Sequence, residues 1–435
     1  MLLRLRRSLA ESMAGAMATP QKRHDEALTW CWAIALAFLA FTLHRLTIPS
    51  RMYFDEIHYV KAARELLTLT PANREHPMFA KELIAASIAL LGDRPLAWRL
   101  PSALFGALGI FAFGRLVWIA SKQRMATILA MVLMATSFMW FIASRIAMLD
   151  MVCASLALVG LWQFAAALES ERPRRRLLIA GVALGLSLGS KWSAAPVAML
   201  PGLYVLWLRA TKQGHHDTLR GVSLFEAALW LGLLPLLVYW ATYAPALFYE
   251  GKHQLQPLDF IRQHKEMFAL QDSVKKPHTY QSYWWQWVFN IRPIWFLYEP
   301  VDGAQRGILM LGNPFSMLVG LPALAWALWA GVMRQRRDAL AMALLYIASL
   351  AMWPVSGKPV QFYFHYLLPG TFLMGCLALA ISEMLTRGRT YRIAAVTMLI
   401  ITIAVFAWFY PIISAAELHN GRKSFETWMW LASWR

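Results

Sequence analysis

The chain has 435 residues, 59% of them hydrophobic, with 42 Lys and Arg against 24 Asp and Glu for a formal charge of +18 and a mean hydropathy of +0.45. An apolar share so far above the roughly 45–50% of soluble domains, gathered into long runs, excludes an ordinary soluble fold and indicates an all-α integral membrane protein. The positive charge does not read as nucleic-acid binding, because it sits in short segments between apolar runs, where it sets topology. Cys31, Cys153 and Cys376 fall inside apolar runs without Cys-x-x-Cys spacing and support neither disulfides nor a zinc site.

In chain order, residues 1–27 form a basic cytoplasmic N-terminus carrying Arg4, Arg6, Arg7, Lys22 and Arg23. No small-residue cleavage signal follows the first apolar run, which reads as a retained signal anchor. Eleven runs, at about 28–46, 98–120, 125–143, 149–168, 177–189, 193–209, 222–246, 307–332, 339–356, 361–384 and 393–414, predict transmembrane helices, and none alternates as a membrane strand would. The fifth is too short to cross unaided, which puts Lys191 at the membrane surface. Connectors on the N-terminal side carry Lys122 and Arg124; Arg172, Arg174, Arg175 and Arg176; Arg209, Lys212 and Arg220; Arg334, Arg336 and Arg337; and Arg387, Arg389 and Arg392. The opposite short connectors hold only Arg145, Lys191 and Lys358, so the N-terminus is expected inside and the C-terminus outside. The predicted organisation is a catalytic membrane module at 28–246 with an outer loop at 47–97, an aromatic-rich outer loop at 247–306, a C-terminal four-helix module at 307–414 and an outer-face tail at 415–435. There is no internal repeat.

The first outer loop starts RMYFDEIHYVKAARELLTL, where Phe54, Ile57, Val60 or Lys61, and Arg64 recur at helical spacing. This predicts a short helix at the membrane interface, with Asp55 and Glu56 near its N-terminus, where carboxylates are favoured. The pair reads either as a polar helix start or as catalytic acids. The loop continues REHPMFAKELI, in which Pro77 suits the first turn of a second interface helix, with His76 at its cap and Lys81 one turn on. Two such helices would roof a cavity.

Arg145, Lys191 and Lys358 stand alone in SRIAMLD, GSKWS and SGKPV, against the topology rule. Snorkelling explains each one singly; as a set they argue for an anionic lipid, Arg145 offering a planar fork for phosphate oxygens and the lysines compact charges. Asp150, five residues after Arg145, is expected to orient that arginine. In HTYQSYWWQWVFNIRPIWFLYEP the aromatics fit an interfacial belt, and Arg292 is positioned to line a polar cavity. Tyr363 and His365 of QFYFHYLLP lie near Lys358 as belt residues or cavity walls.

FDEIHYVKAARELL, HPMFAKELI, WRLPSALFGAL, SRIAMLD and GSKWS occur in the order found in the protein O-mannosyltransferase family of glycosyltransferase superfamily C. The resemblance also takes in HTYQSYWWQW, RPIWFLYE and the last four spans, roughly residues 50–385. It implies an inverting transfer of mannose from a polyprenyl-phosphate donor to Ser or Thr hydroxyls of secreted or membrane proteins at the outer face, with Asp55 and Glu56 catalytic and Arg145 on the donor phosphate, where the charge pattern also puts Lys191 and Lys358. The chain departs from the family in having HPMFAK for HPPLGK, and it contains no insert like the MIR domains of the eukaryotic members, which suggests a bacterial-type member in the inner membrane.

On this reading Asp55 accepts the proton of the attacking hydroxyl and Glu56 positions the acceptor or shares that role. Arg145 and Lys191 stabilise the departing phosphate, so neither a metal nor another cofactor is expected to be obligatory. Membrane lipids and the secretion machinery are the further partners expected. Two alternatives stand beside it: a lipid or glycan acceptor, as in the lipid A aminoarabinose transferases, and a transporter or flippase. The latter would place ionisable groups at mid-membrane or show repeats.

Overall fold

The computed structural model describes residues 20–211, 218–273, 276–419 and 421–435; Arg4, Arg6, Arg7 and Lys212 lie outside the described residues. The N-terminal half comprises α1 (Pro20–Leu43), α2 (Glu56–Leu67), α3 (Phe79–Leu91), α4 (Pro95–Ser121), α5 (Arg124–Ala135), α6 (Phe138–Ala143), α7 (Leu149–Leu168) and α8 (Pro173–Ser190). A 3₁₀ turn, Trp192–Ala194, leads into α9 (Ala195–Ala210), and α10 (Leu224–Ala241) contains one π-helical turn. The second outer segment carries α11 (Phe260–Asp272), α12 (Trp284–Val288) and a hairpin of β1 (Ile294–Val301) and β2 (Ala304–Met310). Then come α13 (Pro314–Met333), α14 (Arg337–Val355), α15 (Leu367–Thr386) and α16 (Arg389–Ile413).

Among the described residues, eight helices are long and apolar enough to cross a membrane. The chain is thus a multi-pass membrane protein. The expected runs at 28–46, 125–143 and 177–189 are helical but fall outside that set. The apolar part of α1 is Ala27–Leu43, the second run breaks between α5 and α6, and α8 opens on Pro-Arg-Arg-Arg. One further expectation needs correction: the run at 307–332 does not begin as helix, because residues 307–310 belong to β2, part of a short hairpin in an otherwise helical fold. The turn Asp302-Gly303 explains it: the two residues have φ of +50° and +77°, as a tight two-residue hairpin turn requires.

Local sequence starts several of these helices. Pro95, Pro173 and Pro314 occupy first-turn positions where no amide donor is needed. Buried Asn313 caps α13 by accepting from the Phe315 and Ser316 amides at 3.2 and 3.3 Å. Gly181, Gly185 and Gly189 form a stripe along α8 that lets it lie directly against α10; a Cβ at Gly185 would meet the Pro235 carbonyl oxygen at 2.7 Å. That close packing fixes where α8 ends, and therefore where Lys191 stands.

The basic connectors gather at one end of the bundle. Lys122 pairs with Glu169, Arg174 with Glu226 at 2.7 Å, and Arg334 and Arg336 with Glu383 at 2.9 and 3.2 Å. Ser382 donates to Gln123 at 3.0 Å, tying the C-terminal half to the same end.

The first outer loop is organised by a fully buried ion pair. Arg99, at the start of α4, meets Glu56 through two hydrogen bonds of 2.8 and 2.9 Å. Its remaining donors reach the carbonyls of Leu46, Pro49 and Arg51 at 3.0, 2.6 and 3.0 Å. Glu56 in turn accepts from the amides of Ala147 at 3.0 Å and Tyr53 at 3.3 Å. One pair thus joins the loop entry, α2, α4 and the connector before α7. The hairpin is fastened to the same loop: the Ser50 amide donates to Asp302 at 2.8 Å, and Arg51 pairs with Glu299 at 2.6 Å. The two expected interface helices are α2 and α3, but α3 begins at Phe79 with Met78 at its cap, so His76 is not a cap and Pro77 is not in the first turn.

Breaking this pair from one side leaves a buried charge unmatched. Arg99→Met is expected to cost about 3–5 kcal/mol, seen as an earlier thermal transition in detergent, and the double change Glu56→Gln with Arg99→Met should recover part of the loss. An unaltered transition in Arg99→Met would remove the pair from its central place.

Candidate active site

Asp55 and Glu56 are neighbours with different partners. Glu56 is committed to Arg99, whereas Asp55 stands at the N-cap position of α2 without a capping bond, its carboxylate lacking a hydrogen-bond partner among the described residues. Phe54 sets this division. Its φ is +50°, a left-handed backbone that costs a non-glycine residue on the order of 1 kcal/mol, and its ring is held by stacking on Phe296 of β1 at 4.0 Å. The Phe54 ring also meets Phe364 edge-on at 6.0 Å, and the Lys191 ammonium lies over Phe364 at 4.8 Å. Asp55 is carried to Lys191 through this aromatic bridge.

Lys191, just beyond α8, contacts both carboxylate oxygens of Asp150 at 2.8 Å. Asp150 occupies the first turn of α7, where the helix dipole favours its charge. Lys358, in the turn after α14, has no partner for its ammonium among the described residues. Burial pushes the Asp55 carboxyl up to about 6; Lys191 pulls it down, Asp150 adds to the rise, and His58 and Lys358 pull it down further. Burial, then Lys191, push Lys358 down to about 8, against the pull of Asp150 and Asp55. His76 is held well below the usual imidazole range by burial, then by Lys191, Lys358 and Lys81. Asp55, Asp150, Lys191, Lys358 and His76 therefore share one electrostatic site.

His365 completes it from the 3₁₀ turn Tyr363–Tyr366 that leads into α15. Its Nδ1 accepts from the Phe362 amide at 3.1 Å, which assigns the ring proton to Nε2, and that nitrogen is buried without a partner among the described residues. The ring stacks on Trp353 at 3.9 Å. With Asp150, Ser193, Phe364 and Pro369 it lines a small pocket. A buried donor, a free ammonium and a paired ammonium converge where an anion would be held.

Other expected site residues lie elsewhere. Arg145 does not reach this cluster; its guanidinium donates to the carbonyls of Thr42, His44 (2.7 Å) and Arg45 (2.9 Å), where it closes the C-terminal end of α1. Asp150 accordingly orients Lys191 rather than Arg145. The Lys81 ammonium donates to the carbonyls of Asn73 and His76 at 2.7 and 2.9 Å, and burial pushes it down to about 7. It pins the loop that presents His76. Arg292 bonds the carbonyls of Thr279 at 2.7 Å and Ser433 at 3.4 Å, holding the C-terminal tail against the outer segment. Tyr363 donates to Asn290 at 2.6 Å and accepts from the Gly312 amide at 2.9 Å, deep in the packing and away from Lys358.

Sequence reasoning missed Arg99, Phe54 and Phe296. Arg99 carried a usable signal, a charge inside an apolar run at the sparsely charged end; the aromatic pair, 242 residues apart in the chain, carried none. Among the described residues no group of three or more His, Cys, Asp or Glu is placed to hold a metal ion.

Two family models match the chain: "Dolichyl-phosphate-mannose-protein mannosyltransferase" over residues 75–240, and "C-terminal four TMM region of protein-O-mannosyltransferase" over residues 258–434. The polyprenol-phosphate-mannose–protein mannosyltransferase of Mycolicibacterium smegmatis is 26% identical, over 94% of this chain and 94% of its own. The protein of the same description from Corynebacterium glutamicum is 26% identical over 96% of each chain. Among solved structures, the S. cerevisiae protein O-mannosyltransferase Pmt1-Pmt2 complex bound to the sugar donor superposes with a TM-score of 0.78 at 14% identity, over 94% of this chain and 92% of that one. ArnT from Cupriavidus metallidurans in the apo state gives 0.56 at 15% identity, over 91% and 76%. With two models of one family matched on either side of residues 241–257 and the same fold in these membrane glycosyltransferases, the chain belongs to the protein O-mannosyltransferase family.

Proposed function

We propose that this protein is an inverting glycosyltransferase that moves mannose from a polyprenyl phosphate to Ser or Thr hydroxyls of proteins, at the outer face of a bacterial cell membrane. The observation that carries the reading is the unpartnered Asp55 carboxylate set opposite Lys191, Lys358 and the buried Nε2–H of His365. The names of the bacterial relatives support both donor and acceptor. The orientation rests on the basic connectors, which gather at the end away from this site, as cytoplasmic loops do.

In the proposed reaction, Asp55 takes the proton of the attacking hydroxyl, whose oxygen bonds to the anomeric carbon as the bond from that carbon to the phosphate oxygen breaks. Attack opposite the leaving group inverts the anomeric centre. The departing polyprenyl phosphate gains negative charge, met by Lys358 and by Lys191, with His365 donating a hydrogen bond. Leu367, Leu368, Pro369 and Ala154 give the pocket beside His365 an apolar wall. Two ammonium groups take the place a divalent cation would fill, so chelation with EDTA is expected to leave the rate unchanged; a loss restored by added metal would overturn that point.

The direct test supplies the purified protein with polyprenyl-phosphate mannose and a secreted protein, and looks for hexose on Ser or Thr by mass spectrometry. Asp55→Asn should lower kcat by about 100- to 10,000-fold, and undiminished transfer would sink the assigned base. Because Asp55 is raised to about 6 and acts as its anion, activity should fall as pH drops through 6; Lys358, lowered to about 8 and acting as its cation, should give a fall as pH rises through 8. A flat profile between pH 5 and 9 would contradict both assignments. Lys358→Met should raise the donor KM by tenfold or more, remove the alkaline limb and spare the acceptor KM.

A further inference from the structure

Asn290 ties together distant parts of the chain, and the reaction as proposed makes no direct use of it. It follows α12 with φ of +55°, and its amide bonds back to the Trp287 carbonyl at 3.0 Å. This is the left-handed end of a helix, which asparagine tolerates better than most residues with a side chain. Its side chain then pairs with one residue beyond β2. Asn290 Nδ2 donates to the Gly312 carbonyl at 3.0 Å, and the Gly312 amide donates to Asn290 Oδ1 at 3.1 Å. The same Oδ1 accepts from the Tyr363 hydroxyl at 2.6 Å, and that hydroxyl accepts from the Gly312 amide at 2.9 Å. The Trp434 indole donates to the Asn290 carbonyl at 2.8 Å. Asn290, Tyr363 and Trp434 are all buried, so these bonds are sheltered from water.

Each tie leads to an element of the site or to one that braces it. Gly312 follows β2, whose partner strand β1 carries the Phe296 ring stacked on Phe54, next to Asp55. Tyr363 opens the 3₁₀ turn that contains His365. With three residues per rotation, side chains leave such a turn on different sides. The Tyr366 hydroxyl meets that of Tyr346 at 2.8 Å, while the His365 ring lies on Trp353 at 3.9 Å. Stacking sets the height of the imidazole over the indole but not its place along that plane. The backbone of the turn sets that place, and the directional bonds of Tyr363 and Tyr366 set the backbone. Trp434 braces the arrangement from segment 421–435, where the Ser433 hydroxyl also donates to the Ile291 carbonyl at 2.6 Å.

We propose that Asn290 is a positioning residue for the leaving-phosphate side of the site. It holds the Tyr363 hydroxyl, and so the turn that aims the His365 Nε2–H, and Trp434 holds Asn290 in its turn. The inference rests on the reading of His365 as a donor to the departing phosphate. An aspartate at 290 could accept from Tyr363 and Gly312 but would face the Gly312 carbonyl with an oxygen in place of a donor.

The test uses the full chain in detergent, polyprenyl-phosphate mannose and a threonine-containing peptide. Tyr363→Phe deletes one oxygen and cuts the tie to the turn, leaving that between Asn290 and Gly312. It should raise the donor KM roughly three- to tenfold and leave the acceptor KM as it is. Trp434→Phe, which keeps a ring against Phe409, should move the donor KM in the same direction by less. In a His365→Ala background, Tyr363→Phe should add nothing to the donor KM, as a residue acting through that imidazole requires. An unchanged donor KM, an equal rise in both KM values, or a full additional rise in the His365→Ala background would overturn the proposal. A separate readout needs no turnover. In protein carrying isotope-labelled histidine, the ring-nitrogen NMR resonance of His365, identified by its loss in His365→Ala, should move in Tyr363→Phe. A resonance at the wild-type position would overturn the proposal. Absence of transfer by the wild type would instead sink the functional reading, leaving the resonance to decide whether Asn290 and Tyr363 set the imidazole.

Discussion

The buried pair of Glu56 and Arg99 is the constraint on which the rest of the site depends. Two opposite charges removed from water are tolerable only when their remaining bonding capacity is met, and here it is met by backbone: three carbonyls for the arginine, two amides for the carboxylate. Those backbone groups come from segments far apart in the chain. The Ala147 amide lies two residues before α7, so the carboxylate that anchors α2 also anchors the helix that begins at Leu149 and carries Asp150. Through Asp150 the same hub reaches Lys191. The distance between the base and the cationic side is thus set by a chain of short, directional contacts rather than by loop packing.

Adjacent carboxylates acquire opposite roles because their surroundings differ. Glu56 is compensated completely and becomes part of the scaffold; Asp55 is partly buried and uncompensated, which lifts its pKa toward the range in which a carboxylate can take a proton near neutral pH. The two lysines divide in the same way. Lys191 is matched by Asp150, whereas the Lys358 ammonium has no hydrogen-bond partner among the described residues and is pushed down by burial first and by Lys191 second. An unmatched ammonium and an orphaned imidazole N–H are unfavourable to bury together, a cost that an anion would relieve. The arrangement suits a lipid phosphate that must be bound more tightly as it leaves than as it arrives.

How much of this could be read from the chain follows the range of the interactions. Most of the apolar helices were legible, because hydropathy is a local property. Asp55 could be singled out for the same reason. Its separation from Glu56 could not, since it depends on Arg99, 43 residues away, and on a left-handed Phe54 stabilised by a ring on β1. Arg145 is a second case: its bonds to the carbonyls at the end of α1 depend on where that helix stops, about 100 residues earlier in the chain, which nothing in SRIAMLD encodes. The hairpin had a clear local mark in Asp302-Gly303, but the neighbouring apolar run masked it as the start of a span.

Inversion requires the base and the stabiliser of the leaving group to act on opposite sides of the sugar. The pocket at Asp150 and His365 is walled by Leu367, Leu368 and Pro369 at the start of α15, a helix buried within the bundle. His76, in the loop before α3, also feels Lys191 and Lys358, and Asp55 stands at the start of α2. In the proposed reaction the hydroxyl is met by Asp55 and the phosphate by Lys358 and His365, so the groups that act on the sugar come from separate elements, the start of α2 and the segment between α14 and α15.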